Sequence, residues 1–213
     1  MTSILQMTGI CKRFPGVVAL DNVSLEVGTG EIVALAGENG AGKSTLMKIL
    51  GGVYQPDSGS ITIDGRAVAI HSVSGAIELG IGFIHQELNV FDNLNIAENV
   101  FLGREPLWGG PLKLVDRQKI HAQTEQLLKR LGLNLPADTP LRKLSLAQKQ
   151  MVEIAKALSL NARILIMDEP TSSLELTETA RLMKVVKELS AQSVSIIYIS
   201  HRLAEIEEIA DRV

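Results

Sequence analysis

The sequence predicts an α/β fold with a mostly parallel core sheet, and three observations carry that expectation. Apolar runs of strand length (EIVALA, RILIMD, SIIYIS) alternate with stretches of helical periodicity, the pattern of strands buried on both faces. A glycine-rich stretch of fixed spacing, Gly37 to Ser44, stands between one of these strands and a helical run. Between about Leu88 and Leu160 strand signals give way to helical ones, so a helical segment interrupts the sheet-forming chain.

Taken in order, the first 70 residues read as short strands around LQMTGI, NVSLEV, EIVALAG, SITID and RAVAI. Phe14-Pro15-Gly16, Gly28-Thr29-Gly30 and Asp57-Ser58-Gly59 separate them as turn-forming breakers. A helix is expected over Ser44 to Leu50 and another over Val73 to Leu79, followed by the apolar strand IGFIHQ. Asp116 to Leu131 shows a helical face at Ile120, Leu127, Leu128 and Leu131, whereas Gly103 to Leu112 reads as a Gly/Pro-interrupted loop with the chain's one tryptophan, Trp108. Ser145 and Gln148, three apart and just ahead of apolar Met151, Ile154, Ala155 and Leu158, spell a capping box at a helix start. The last part alternates strand (RILIMD), helix (about Glu175 to Ser190), strand (SVSIIYIS) and helix (Leu203 to Ala210).

Composition narrows the class. With 213 residues, 46% hydrophobic and 21% charged, the chain can bury a sizeable core. Twenty-one basic against 24 acidic residues give a net charge of −3, so the basic footprint of a nucleic-acid binder is missing. One cysteine, Cys11, excludes an internal disulfide, and no secretory leader pattern opens the sequence, so a reducing, cytosolic compartment fits best. No apolar run approaches the roughly 20 residues needed to cross a bilayer. Any link to a membrane therefore runs through a partner.

Gly37-Glu38-Asn39-Gly40-Ala41-Gly42-Lys43-Ser44 fits G-x-x-x-x-G-K-[ST] at every fixed position, in the strand-then-helix context the motif requires. Its glycines let successive N–H groups curl around phosphate oxygens; Lys43 reaches the β- and γ-phosphates and the Ser44 hydroxyl takes a Mg²⁺ position. RILIMDEP ends a buried strand in Asp168 and Glu169, at the sheet edge where open α/β folds bind ligands. Asp168 suits the Mg²⁺ shell, and Glu169 suits a base or water-positioning role in phosphoryl transfer.

These motifs, with others in register, resemble the nucleotide-binding cassette of ABC proteins, a P-loop NTPase family, over essentially the whole chain. GENGAGKST is its Walker A motif and ILIMDE its Walker B; Gln86 in FIHQEL matches the Q-loop glutamine and His201 in YISHRL the switch histidine. LSLAQ, at Leu144 to Gln148, sits in the slot of the LSGGQ signature, with Leu146 and Ala147 replacing the usual glycines. Phe14 matches the aromatic position that stacks on adenine, and Ser172-Ser173-Leu174-Glu175 matches the D-loop, although helix capping explains the latter stretch equally well.

The resemblance implies an ABC ATPase fold: a mostly parallel core, an N-terminal antiparallel β subdomain, and a helical subdomain at about 88–160, in one domain over 1–213. It implies that Gly37 to Thr45 bind ATP, that Ser44, Gln86 and Asp168 hold Mg²⁺ (Asp168 through water), and that Glu169, His201 and Gln86 are catalytic. Ser145, Leu146, Ala147 and Gln148 would meet the γ-phosphate of another cassette.

KRFPGVVALDNVSLEV, HQELNVFDNLNIAENVFLGREP and IIYISHRLAEIEEIADRV are similar to the amino-terminal cassette of tandem-cassette ATPases that drive bacterial monosaccharide import. That likeness implies a second cassette as partner, in the same longer chain or in a homodimer. It also implies transmembrane permease subunits, an indirect periplasmic sugar-binding protein, and a peripheral place on the cytoplasmic face of the inner membrane. It implies a C-terminal truncation too, since such cassettes continue past Ala210-Asp211-Arg212-Val213 with another strand. A soluble translation-type ABC ATPase, or an importer cassette for another small solute, remains the alternative. Trp108 is either an interface anchor or, as is commoner for a large aromatic, a residue that pins its loop. His71, His85 and His121 carry no assignment.

Overall fold

The chain enters its fold through a long antiparallel hairpin, β1 (Ser3–Phe14) and β2 (Val17–Gly28). In the computed structural model, which describes residues 3–38, 40–86, 88–110 and 113–213, both strands run longer than the motifs LQMTGI and NVSLEV indicate. Register shifts along the pair interrupt the strict two-residue alternation that marks a strand in sequence. Pro15 and Gly16 make the turn, Gly16 with the left-handed φ of 79° that such a hairpin requires. After β3 (Ile32–Leu35) and α1 (Lys43–Leu50) come β4 (Ser58–Ile63) and β5 (Arg66–Val68). These two complete an antiparallel sheet of order β2-β1-β4-β5.

α2 (Val73–Glu78), whose N-cap Ser72 accepts the Gly75 N–H, leads to β6 (Ile81–Ile84). Among the described residues, β6 pairs with β9 (Ile164–Asp168), β9 with β10 (Ser195–Ile199), and β10 with β3, all in parallel. The order β3-β10-β9-β6 aligns the carboxyl ends of all four strands along one edge. Ile164, Ile166, Ile197 and Ile199 pack with Leu46, Met47 and Leu50 of α1 and with Leu5, Met7 and Ile10 of β1 in a continuous core. α7 (Leu203–Ile209) follows β10 and buries Ile206 and Ile209.

The structure divides into two compact units. The first comprises Met1–Ile84, Ala162–Glu169 and Val186–Val213; the second comprises His85–Asn161 and Pro170–Val185. In the second, α3 (Ile96–Phe101), α4 (Arg117–Arg130) and α5 (Leu146–Ser159) pack on one another. Each begins on a polar cap: Asn95 with Glu98, Asp116, and Ser145 with Gln148. α4 buries Ile120 and Leu128, as its periodicity predicts, with Thr124 between them. α6 (Leu176–Ala191) continues from the second unit into the first.

The expected loop at Gly103 to Leu112 overlaps an unforeseen element. β7 (Leu107–Trp108) and β8 (Leu114–Val115) form a small antiparallel hairpin. Two residues per strand are too few to show alternation, which is why the sequence reads as loop. Trp108 does not pin this segment by burial: it is 60% exposed, beside exposed Leu107, Leu114 and Val115.

Candidate functional site

β3 delivers the chain to the glycine-rich loop at the carboxyl edge of the parallel sheet. Gly37, Gly40 and Gly42 all take positive φ, at 149°, 87° and 88°. Gly42 is required twice over: a Cβ there would lie 2.6 Å from the Ala19 carbonyl oxygen and 2.8 Å from Leu20 Cδ2. Because this glycine is also the N-cap of α1, no side chain occupies the first N–H groups of the helix. The first intrahelical bond is donated by Leu46 to Gly42, so the amides of Lys43, Ser44 and Thr45 precede the ladder and form an anion-binding terminus. Lys43 Nζ arches over the loop, donating to the carbonyls of Gly37 and, at 2.9 Å, Glu38. Asn39 lies outside the described residues.

Two strands along, β9 ends at Asp168, which pairs in register with Ile199 of β10. Glu169 then adopts the left-handed region at φ 45° while its N–H donates to the Ile199 carbonyl at 2.9 Å. Holding a non-glycine residue in this region costs on the order of 1 kcal/mol. The strained backbone turns the Glu169 carboxylate toward His201, the second residue after β10, where Oε1 lies 2.9 Å from Nδ1. An ionised carboxylate only accepts, so in this contact Nδ1 is the donor. His201 is 62% exposed and Glu169 22%, so the pair opens to solvent. The parallel order β3-β10-β9 thus sets phosphate loop, histidine and carboxylates on adjacent strand ends.

Phe14, at the end of β1, packs edge-on against Tyr54 with ring centroids 5.3 Å apart and planes at 68°. Lys12 Nζ sits 5.7 Å from the Phe14 centroid. Asp57 accepts from Lys12 Nζ at 2.8 Å and from the Arg13 N–H at 2.6 Å, and these donors hold its carboxyl below the usual range. The sequence singles out Phe14 but not Tyr54, whose ring packs on it, or Asp57, which holds the preceding Lys12 and Arg13, both from a distant stretch of chain.

In the second unit, Ser145 Oγ accepts the Gln148 N–H at 3.3 Å and Gln148 Oε1 accepts the Ser145 N–H at 2.9 Å, completing the capping box the sequence predicts. Ser145 Oγ also donates to Glu178 Oε1 at 3.3 Å, and Glu178 Oε2 accepts the Glu175 N–H at 3.3 Å. The stretch Ser172 to Glu175 therefore ends in a side-chain cap for α6. Leu146 and Ala147 open the first turn of α5, Leu146 being 40% exposed.

Gln86 is exposed, two residues past β6 in the chain. The segment behind it is gripped by α5. Lys149 Nζ pairs with Asp92 at 2.6 Å and Lys156 Nζ donates to the Asn89 carbonyl at 3.2 Å. Burial pushes the Glu153 carboxyl up, outweighing the nearby Lys156 charge, and among the described residues its Oε1 has no hydrogen-bond partner. Buried Asn99 closes the same segment by accepting from the Phe91 N–H at 2.7 Å and donating to the carbonyls of Phe91 and Asn95.

The chain belongs to the ABC transporter family, whose model matches residues 20–172. It is 53% identical over 211 residues to a putative ribose/galactose/methyl galactoside import ATP-binding protein 1 of Burkholderia ambifaria, covering 99% of this chain and 40% of that protein. Against the ribose import ATP-binding protein RbsA 1 of Burkholderia thailandensis the identity is 52%, covering 100% of this chain and 42% of the relative. The chain thus spans less than half the length of these relatives. Among solved structures, the ADP conformation of MJ1267, an ATP-binding cassette of an ABC transporter, superposes with a TM-score of 0.86 at 26% identity, covering 99% of this chain and 86% of that one. cbiO1 of Clostridium perfringens, part of the transporter complex cbiONQ, superposes with a TM-score of 0.84 at 28% identity, covering 99% and 83%. The fold is that of the P-loop ABC ATPase cassette, as the motifs imply.

Proposed function

We propose that this chain is the ATP-binding and ATP-hydrolysing cassette of a monosaccharide importer, acting at the cytoplasmic face of the inner membrane beside permease subunits. One observation carries the hydrolytic part: the phosphate loop, Asp168-Glu169 and His201 stand at neighbouring strand ends, with the His201–Glu169 contact at 2.9 Å. Identity above one half to ribose/galactose import ATP-binding proteins supports the sugar assignment. Among the described residues no helix is long and apolar enough to cross a membrane, which is consistent with attachment through partners. The second unit would serve as the inserted helical subdomain.

The residues present suit Mg·ATP. A glycine-capped helix terminus and the Lys43 ammonium favour a polyphosphate, and the Ser44 hydroxyl and Asp168 carboxylate are oxygen donors of the kind Mg²⁺ takes, as is the Gln86 amide oxygen that the Q-loop match assigns to it. When bound, Mg²⁺ would neutralise charge on the β- and γ-phosphates. Lys43 exchanges its two carbonyl partners for phosphate oxygens, Phe14 offers a face to the adenine, and Glu169 accepts a proton from the attacking water. Imidazole Nδ1–H holds the carboxylate in place while the far side of the ring faces the γ-phosphate. The capped terminus at Ser145 would receive the γ-phosphate held by another cassette.

The test has two arms. Mg·ATP should raise the thermal midpoint, and Lys43→Ala should abolish that rise. In cells carrying the full-length protein and its permease, uptake of labelled ribose or galactose should cease with Lys43→Ala. A wild-type protein indifferent to Mg·ATP would sink the reading; uptake unaffected by Lys43→Ala would sink the sugar assignment.

A further inference from the structure

A buried carboxylate that the catalytic reading leaves unused lies one helical turn beyond His201. Glu205, on the first turn of α7, is 7% exposed, between Ser200 at 3% and Tyr198 at 0%. Its Oε2 accepts the Tyr198 hydroxyl at 2.9 Å and the Ser200 hydroxyl at 3.2 Å; its Oε1 accepts Arg202 Nη1 at 3.2 Å. Ser200 Oγ in turn accepts the Arg202 N–H at 3.0 Å, and the Glu205 N–H donates to the Arg202 carbonyl at 3.1 Å. The residues on either side of His201 are therefore both tied to one carboxylate. His201 itself projects outward from a loop that cannot shift without breaking buried hydrogen bonds.

We propose that Glu205 is a positioning residue for the catalytic pair: by clamping Tyr198, Ser200 and Arg202 it fixes the backbone of His201 and so sets the contact between His201 Nδ1 and Glu169 Oε1. Two features make the clamp specific to that contact. Glu169 is tied to the same strand end, since its N–H donates to Ile199, so both partners are referenced to one point on β10. The acceptor also offers two oxygens, which as placed take the Tyr198 hydroxyl, the Ser200 hydroxyl and Arg202 Nη1 together, and hydrogen bonds from a guanidinium are the strong ones. Glu205→Gln keeps the shape but turns an amide NH₂ either toward the Arg202 guanidinium, which only donates, or toward the Tyr198 and Ser200 hydroxyls, which must then reverse and give up their own donated bonds. A buried donor left unsatisfied destabilises the loop geometry, and a displacement of about 1 Å in a catalytic group lowers turnover by up to about 100-fold.

The proposal rests on the reading of Glu169 and His201 as the hydrolytic pair, so its test has one readout that needs no turnover. In ¹⁵N spectra of the imidazoles, with the His201 signals assigned by comparison with His201→Ala, Glu205→Gln should move the His201 nitrogens in the same direction as Glu169→Gln does. Steady-state hydrolysis supplies the second readout. Glu205→Gln should lower kcat by about 10- to 100-fold with KM for ATP changed by less than about twofold. The double variant Glu205→Gln/His201→Ala should be no slower than His201→Ala, because Glu205 acts through the histidine. If Glu205→Gln reduces the yield of folded protein, Ser200→Ala removes the same tether with a smaller change and carries the same expectations. An unchanged His201 spectrum, or a double variant slower than His201→Ala, would overturn the proposal. A shifted spectrum in a protein that hydrolyses no ATP would support the clamp and count against the ATPase reading instead.

Discussion

His201 Nδ1 meets Glu169 Oε1 at 2.9 Å although 32 residues separate them in the chain, because β9 and β10 pair in parallel and end together. A carboxylate so oriented is expected to take the proton of an attacking water, a role worth about 100- to 10,000-fold in rate. Glu169→Gln should therefore reduce phosphate release by at least about 100-fold and leave the Mg·ATP-induced thermal shift in place. Wild-type turnover in this variant would remove Glu169 from the role.

Gly42 and Gly40 separate two reasons for glycine in one loop. Both have left-handed φ, 88° and 87°, but a Cβ at Gly40 would meet nothing within 4 Å, whereas one at Gly42 would strike Ala19 and Leu20. Urea denaturation without nucleotide should show Gly40→Ala costing about 1 kcal/mol, and Gly42→Ala clearly more. Equal losses would mean that the approach of β2 to the loop is looser than the structure shows.

The buried carboxyl of Glu153 makes stability depend on pH. Burial raises its native pKa above the ordinary value of 4.5, so the native state holds the proton more firmly than the unfolded chain does. Below that ordinary value both states are protonated and ionisation costs nothing; as pH rises through the raised native value, stability falls and then levels off. Glu153→Gln should match wild type in urea denaturation at pH 4 and exceed it at pH 8. A constant difference at both values would contradict this.

Ser145 combines a structural and a proposed catalytic task, and substitutions can part them. Ser145→Ala removes the cap of α5 at a cost of about 1 kcal/mol; Ser145→Gly, by cap statistics, costs a few tenths. If the hydroxyl also meets a γ-phosphate from another cassette, both variants should lose turnover alike despite their unequal stabilities. Turnover that follows stability would confine Ser145 to capping.

Much of this was legible because the chemistry is local. The phosphate loop, the Asp168-Glu169 strand end and the Ser145–Gln148 cap each lie within a few consecutive residues, where spacing alone dictates geometry. Glu205 escaped because an acid in the first turn of a helix ordinarily reads as a solvated partner of the helix dipole; only burial beside Tyr198 and Ser200 reveals its other use. Tyr54 and Glu178 escaped because their contacts with Phe14 and Ser145 depend on tertiary folding that no short window contains. The hairpin at Trp108 was misread for the opposite reason, since its two-residue strands are too brief to leave a pattern.

Asn89 offers its carbonyl to Lys156 and Asp92 its carboxylate to Lys149, both lysines on the helix that starts at Ser145. A joint pinned on both sides has no backlash. A force applied to the stretch behind Gln86 should therefore turn that helix as a lever rather than bend the loop, so that Ser145 would move with the stretch.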